Sequence, residues 1–289
     1  MALATKPRTE ERAVRRIWRT PGSKFNLVWL GLSLVMYGCI YALYMHAIRT
    51  QPFPGPFTDP LRLFGIVAFC LVLVVAAYSL RRRFVRRLPG KVQNWLWVHT
   101  WFGVSSILVA FLHENYANIL RDFRFTQMRF TEADLGMSAL YALLLLVISG
   151  MIGRLLDIWQ ARVIAAEANS NGVGIVRAVQ EKLLELELTV EHFSAGKSPA
   201  FKRYCSKALR NKISLPGTLP ILAPDELGDF EHVHEVLTQR ALLGRSLRRQ
   251  KRARLVILAW RYVHIPLACL ALTVIGYHSI SELLKMLLH

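Results

Sequence analysis

The chain has 289 residues, 53% of them apolar, and carries 37 Lys and Arg against 19 Asp and Glu, a formal net charge of +18. Its mean hydropathy of +0.31 is high for a soluble domain and ordinary for a protein with several membrane spans. The four cysteines form neither a CxxC nor a CxxCH motif. This disfavours iron–sulfur ligation, covalent c-type haem and a disulfide framework.

Five apolar stretches are long enough to cross a hydrocarbon core of about 30 Å, which requires roughly 20 residues of helix. They lie at residues 25–48, 63–80, 92–113, 136–153 and 255–281. The sequence therefore predicts an all-α fold, an integral membrane helical bundle with five transmembrane helices.

Basic residues indicate on which side of the membrane each connection lies. The N-terminal tail contains seven Lys and Arg, and the second connection reads RRRFVRRLPGK, whereas residues 49–62 and 114–135 mix few basic residues with acidic ones. By the positive-inside bias, we expect a multi-pass protein of a bacterial inner membrane with a cytoplasmic N-terminus and an external C-terminus. The positive charge is then expected to contact the lipid bilayer, and nucleic acid is not expected as a partner.

A long insert, residues 154–254, separates the fourth and fifth spans. Its first piece, GRLLDIWQARVIAAEAN, has a helical period that continues the fourth span. A second piece, VRAVQEKLLELELTVEHF, begins with helical spacing and drifts into alternation, so helix and strand both remain open there. Asp225 is a candidate cap for a helix that runs into the fifth span. The insert is thus predicted to be mostly helical and cytoplasmic.

The predicted organisation has four parts. They are a basic cytoplasmic tail at 1–24, transmembrane helices one to four at 25–153, the insert at 154–254, and transmembrane helix five with the C-terminus at 255–289.

Four histidines lie on two of the predicted spans, His99 and His113 on the third and His264 and His278 on the fifth. Each pair is 14 residues apart, a spacing that returns a helix to nearly the same face and rises about 21 Å. The predicted topology makes these spans parallel, so we expect His99 to face His264 near the inner surface and His113 to face His278 near the outer. Two neutral imidazoles on opposite sides of a haem iron give a six-coordinate centre suited to electron transfer. We therefore predict two haem b groups with these histidines as iron ligands.

A flat macrocycle between two helices also needs small neighbouring side chains. Small residues stand beside the histidines on both spans, and the same pattern is common where membrane helices pack closely without a cofactor. The candidate cofactor-facing residues are Gly103, Ser106 and Ala110 on the third span and Ala268 and Ala271 on the fifth.

Charged and polar residues near the histidines are further candidates. Arg261 and Arg154 are placed to neutralise the anionic propionates of an inner haem, and anchoring at the membrane edge is the alternative role. Glu114, Asn115 and Tyr116 directly follow His113 and are candidates for a quinone or donor site, or for the start of a solvated loop.

The segments NWLWVHTWFGVSSILVAFLH and WRYVHIPLACLALTVIGYH resemble the haem-bearing helices of the di-haem membrane cytochromes b. That group includes respiratory cytochrome b and the ferric-reductase-like transmembrane proteins, and the resemblance covers mainly spans two to five. It implies an antiparallel helical bundle in which the four histidines clamp two haems b. The chain departs from the ferric reductases by lacking a C-terminal flavin and NADPH domain, and from respiratory cytochrome b by its insert.

Three functions follow as expectations. The first is a di-haem b-type cytochrome subunit of a membrane oxidoreductase, which carries electrons across the membrane, is coupled to quinone and binds a redox partner protein on the insert. The second is a ferric-reductase-like electron conduit fed by a separate cytoplasmic flavoprotein. The third is a haem-free membrane transporter or assembly scaffold, in which the histidines form interior hydrogen bonds.

Overall fold

The computed structural model describes residues 23–85, 92–116, 119, 132–211 and 213–288. Residues 1–22 of the predicted basic tail lie outside the described residues, as do 86–91 of the second connection and 117–118 and 120–131 of the third. The basic segments on which the predicted orientation depends fall largely in these ranges.

All regular elements in the described ranges are helices. The long ones are α1 (Ser23–Thr50), α2 (Leu61–Arg83), α3 (Val92–Glu114), α4 (Glu132–Asn171) and α7 (Leu227–Leu288). Between α4 and α7 lie α5 (Val176–Ser194), α6 (Pro199–Arg210) and a 3₁₀ turn (Pro224–Glu226). The helical class predicted from the sequence is confirmed for the described residues, and each of the five long helices is long and apolar enough to cross a membrane.

Two of the helices are much longer than a membrane is thick. With 40 residues in α4 and 62 in α7, each has well over the roughly 20 residues that cross a hydrocarbon core of about 30 Å. Each contributes to both compact units of the chain. Residues 155–260 form the insert unit, and residues 23–154 with 261–288 form the bundle unit.

The bundle unit has two adjoining apolar clusters. One joins α1, α2 and α3, and its most buried members include Leu61, Val109 and Leu112. The other joins α2, α3, α4 and α7, and Ala271 is fully buried in it. Many large apolar side chains of α1, among them Leu34 and Val35, are exposed instead, as expected for a surface that faces lipid.

The insert unit has a core of its own around α5, α6 and the first part of α7. The segment that the sequence left open between helix and strand is the helix α5, with Val179, Leu186 and Val190 buried on one face. The alternating leucines were misleading because Leu184 and Leu188 are exposed on the other face. Asp225, the predicted cap, lies within the 3₁₀ turn that precedes α7.

Candidate functional site

One pair of predicted ligands faces a common cavity in the bundle unit. His113 on α3 and His278 on α7 both line a cavity of about 360 Å³ whose other walls come from α2 and α4. This volume lies in the range of about 300 to 1,000 Å³ that is typical of ligand pockets. We call this the outer level.

The second pair lies at the other end of the same helices. His99 on α3 and His264 on α7 are within electrostatic range of one another, and both side chains are partly buried. We call this the inner level. Because the pairs are His99 with His264 and His113 with His278, α3 and α7 run parallel in the bundle unit.

Hydrogen bonds to main-chain oxygens set the ring orientation of both α3 histidines. Nδ1 of His99 lies 3.0 Å from the Val75 oxygen, and Nδ1 of His113 lies 2.8 Å from the Leu61 oxygen. A carbonyl oxygen only accepts, so in each neutral ring the proton is on Nδ1. The lone pair of Nε2 is then available to a metal, which is the usual arrangement behind a metal-ligating histidine.

The two histidines of α7 differ in the hydrogen bonding of Nδ1. Nδ1 of His264 lies 3.0 Å from the hydroxyl oxygen of Ser149 on α4. Nδ1 of His278 is buried and has no hydrogen-bond partner among the residues that the structure describes. The two levels are therefore not equivalent.

Glycines on the neighbouring helices contact three of the four imidazoles. A β-carbon on Gly65 of α2 would lie 2.8 Å from Cε1 of His113, and one on Gly136 of α4 would lie 3.3 Å from Cε1 of His278. A β-carbon on Gly150 would lie 3.9 Å from Cε1 of His264. At Gly65 and Gly136, the absence of a side chain thus lets α2 and α4 lie against the rings of His113 and His278.

The sequence interpretation missed that a 14-residue interval recurs on all four helices around the site. It separates the two histidines on α3 and on α7, and it also separates the two α2 carbonyls that hold the α3 histidines and the two α4 glycines that face α7. The additional pairs are Leu61 with Val75 and Gly136 with Gly150. The glycine pair is visible in the sequence as a second 14-residue repeat, whereas the carbonyl pair carries no residue-type signal.

Comparisons with known protein families, curated proteins and solved structures gave no match.

The predicted small residues have different surroundings. Ala110 lines the outer cavity, while Ser106 and Ala271 are fully buried. The hydroxyl of Ser106 donates to the Gly103 oxygen at 2.8 Å. A β-carbon on Gly103 would meet only the side chain of Val75 on α2, at 4.0 Å, and Ala268 is partly buried on α7.

The arginines of the inner level lie against tryptophans of α3. The guanidinium of Arg154 lies over the Trp97 ring at 4.6 Å, and that of Arg81, which the sequence interpretation missed, lies over Trp95 at 5.1 Å. Arg261 is partly buried on α7. Such cation–π contacts hold a guanidinium in place while keeping its charge.

Two cations that were not predicted line the outer cavity. Arg62 pairs with Asp59 at 2.8 Å, and Lys285 pairs with Glu282 at 3.1 Å. Both cations belong to the cavity wall. Lys285 follows His278 by seven residues, which is two helical turns, so its position on the ligand face was a signal available in the sequence.

The polar residues after His113 have separate surroundings. Glu114 lines the outer cavity. Asn115 is buried, accepts a hydrogen bond from the Tyr44 hydroxyl at 3.1 Å and donates to the Pro54 oxygen at 3.0 Å. The side chain of Asn115 thus joins α1 and the loop before α2, whereas Glu114 belongs to the wall of the outer cavity.

A site made of protein ligands alone is not favoured. Within the described ranges, no group of three or more His, Cys, Asp or Glu side chains is close enough together to hold a metal ion. Each level instead brings together one histidine of α3 and one of α7, and neutral imidazole is a common metal ligand.

Proposed function

We propose that this chain is a di-haem b-type cytochrome subunit, which binds one haem between His113 and His278 and another between His99 and His264. The observation that carries the proposal is the recurrence, at two levels, of a histidine on α3 facing a histidine on α7. In each α3 histidine, the hydrogen bond to an α2 carbonyl keeps Nε2 free to bind metal.

The residues at the site fit such a group. The outer cavity is bounded by both histidines and by the glycine faces of α2 and α4, so the space beside the ligands is not filled by side chains. Arg62 and Lys285 in its wall supply positive charge for the carboxylates of a haem. At the inner level, Arg81 and Arg154 provide the same charge.

A haem held by the two histidines of one level would supply single-electron exchange. The chain contributes ligands of fixed orientation, because Val75, Leu61 and Ser149 hold three of the rings. Two levels on the same helices, about 21 Å apart along the rise, suit electron transfer from one side of a membrane to the other.

The proposal also includes the membrane, the orientation of the chain in it, and its redox partners. We place the N-terminus and the insert unit in the cytoplasm and the outer level near the external surface, in a bacterial inner membrane. We propose that a partner redox protein binds to the insert and that quinone is the small redox substrate. Oxidation of added quinol by the purified protein would distinguish this role from a conduit fed by a flavoprotein.

The experiment that tests the central proposal is the spectrum of the purified protein from haem-replete cells. We expect dithionite-reduced α-bands of b-type haem and about two haems per chain by the pyridine haemochrome assay, two being the number of histidine pairs. A colourless, folded protein would contradict the proposal and favour the haem-free transporter or scaffold.

A further inference from the structure

The inner and outer levels share the same arrangement of residues on three helices. At both, an α3 histidine hydrogen-bonds through Nδ1 to an α2 carbonyl, and an α4 glycine faces the α7 histidine. The 14-residue interval relates each group at one level to its counterpart at the other. Residues 14 positions apart on the same helix can therefore be compared directly between the two levels.

One such difference concerns the support of the α7 histidine. At the inner level, the hydroxyl of Ser149, next to Gly150, lies 3.0 Å from Nδ1 of His264. The matched α4 position at the outer level, next to Gly136, is Leu135, which has no polar side-chain atom. In agreement with this, Nδ1 of His278 has no hydrogen-bond partner among the described residues.

A hydrogen bond from Nδ1 makes an imidazole a stronger electron donor at Nε2. A stronger donor stabilises the more highly charged, oxidised iron and lowers its reduction potential. With Nε2 of His264 bound to iron, the proton of its neutral ring is on Nδ1 and the Ser149 hydroxyl oxygen accepts it. Both ligands of the inner level then have such a bond, whereas only His113 does at the outer level.

We propose that Ser149 is a positioning residue that fixes the ring of His264 and lowers the reduction potential of the inner level, while the outer level has no counterpart to it. This proposal rests on the proposed function, because it requires iron at both levels. The nearby charges, Arg81 and Arg154 inside and the two ion pairs outside, also set the potentials. A change of Ser149 leaves these charges in place and isolates the hydroxyl.

The test compares Ser149→Ala with Ser149→Thr in the full-length, haem-loaded protein. Redox titration followed in the α-band gives both midpoint potentials, and the band lost in His99→Ala identifies the inner level. We expect Ser149→Ala to raise the midpoint potential of the inner level. The expected shift corresponds to about a fivefold change in the ratio of reduced to oxidised iron, which is the effect of one net hydrogen bond. We expect the outer midpoint to stay unchanged, and Ser149→Thr, which keeps a hydroxyl, to restore most of the inner value.

Leu135→Ser is the reciprocal variant and is expected to lower the outer midpoint alone. The ferric electron paramagnetic resonance spectrum adds a second measurement, since a released His264 ring should change the signal of the inner level only. The proposal is overturned if Ser149→Ala leaves the inner midpoint in place, shifts both levels equally, or has the same effect as Ser149→Thr. A protein without haem would overturn the proposed function instead, so the two failures are distinguishable.

Discussion

Gly65 and His113 are in such close contact that a β-carbon on the glycine would lie 2.8 to 3.0 Å from three atoms of the imidazole ring. The ring is also held by its hydrogen bond to the Leu61 oxygen, four residues before Gly65 on α2. Because the ring is fixed from this side, it cannot yield easily to an added side chain. The absence of a side chain at Gly65 therefore leaves room for the His113 ring, a proposed haem ligand, in its observed orientation.

Gly65→Ala should consequently disturb the outer level and spare the inner one. We expect the haem content to fall from about two towards about one per chain, since the displaced ring no longer presents Nε2 correctly. The matched control is Gly38→Ala on α1, where a β-carbon would have no neighbour within 4 Å. Equal haem loss in both variants would show that the contact with His113 is irrelevant.

Removal of single ligands should separate the two levels. His99→Ala and His264→Ala should leave the same residual spectrum, and His113→Ala and His278→Ala should leave the other, because the members of each pair face each other. Reduced-minus-oxidised spectra of the four variants provide the measurement. His232→Ala is the control, as this ring lies against Phe193 in the insert unit at 4.8 Å. Identical loss of both bands in all four ligand variants would refute the pairing.

The sequence predicted those parts of the fold that depend on hydropathy and periodicity. Five apolar runs and two histidine pairs are properties of residue type, and they locate the spans and the candidate ligands. The Leu61 and Val75 carbonyls were unpredictable for the opposite reason, since every residue has a carbonyl and only the packing of α2 against α3 selects these two. Ser149 was missed because its partner is 115 residues away in the chain.

In the insert, the sequence left the choice between helix and strand open for the α5 segment. Leu184, Leu186, Leu188 and Val190 alternate as in a strand, but only Leu186 and Val190 are buried in the helix. A short run cannot reveal which of its apolar residues the tertiary core will use. The packing of α5 against α6 and α7 determines which of its apolar side chains are buried, and this packing depends on residues far away in the chain.

Asn115 should be important for stability through both its side chain and its backbone. It has a positive φ of 64° and makes two hydrogen bonds, from Tyr44 and to Pro54. We expect Asn115→Gly to lose about 1 to 3 kcal/mol through these bonds, and Asn115→Ala to lose about 1 kcal/mol more because alanine disfavours the left-handed conformation. Thermal unfolding in detergent measures both, with Tyr44→Phe removing one bond. If glycine is no better than alanine, the backbone has no part in the effect.

Arg240 connects the helices of the insert unit. Its side chain is 3% exposed and donates to Glu187 at 2.8 Å and to the oxygens of Ala208 and Leu209 near the end of α6. Arg240→Met removes the donor to these acceptors and should destabilise the insert unit by about 1 to 3 kcal/mol, since the Glu187 side chain is 35% exposed and keeps access to water. The control is Arg177→Met, whose ion pair with Glu181 is exposed and should contribute less than about 1 kcal/mol. Limited proteolysis under increasing urea should separate the two variants, and equal resistance would contradict this role of Arg240.

Glu226 should make the insert unit sensitive to acid. Its carboxylate accepts hydrogen bonds from the backbone N–H and the hydroxyl of Ser198, both at 2.7 Å, and these bonds lower the pKa of Glu226 below its ordinary value of 4.5. A carboxyl group with a lower pKa in the folded state stabilises that state above pH 4.5, and the contribution is lost as the pH falls through the lower, folded value. The melting temperature should therefore decrease more steeply below pH 4.5 in the natural chain than in Glu226→Gln.

The control for this prediction is Ser198→Ala, which removes the hydroxyl donor but leaves the backbone N–H. Because one of the two bonds to Glu226 remains, its pH dependence should lie between those of the natural chain and Glu226→Gln. Melting curves of the three proteins from neutral pH downwards give the comparison. Protonation of the Glu226 carboxylate would have to reduce the difference in melting temperature between the natural chain and Glu226→Gln. If that difference stays constant as the pH passes below 4.5, the Glu226 carboxylate is not the acid-sensitive group.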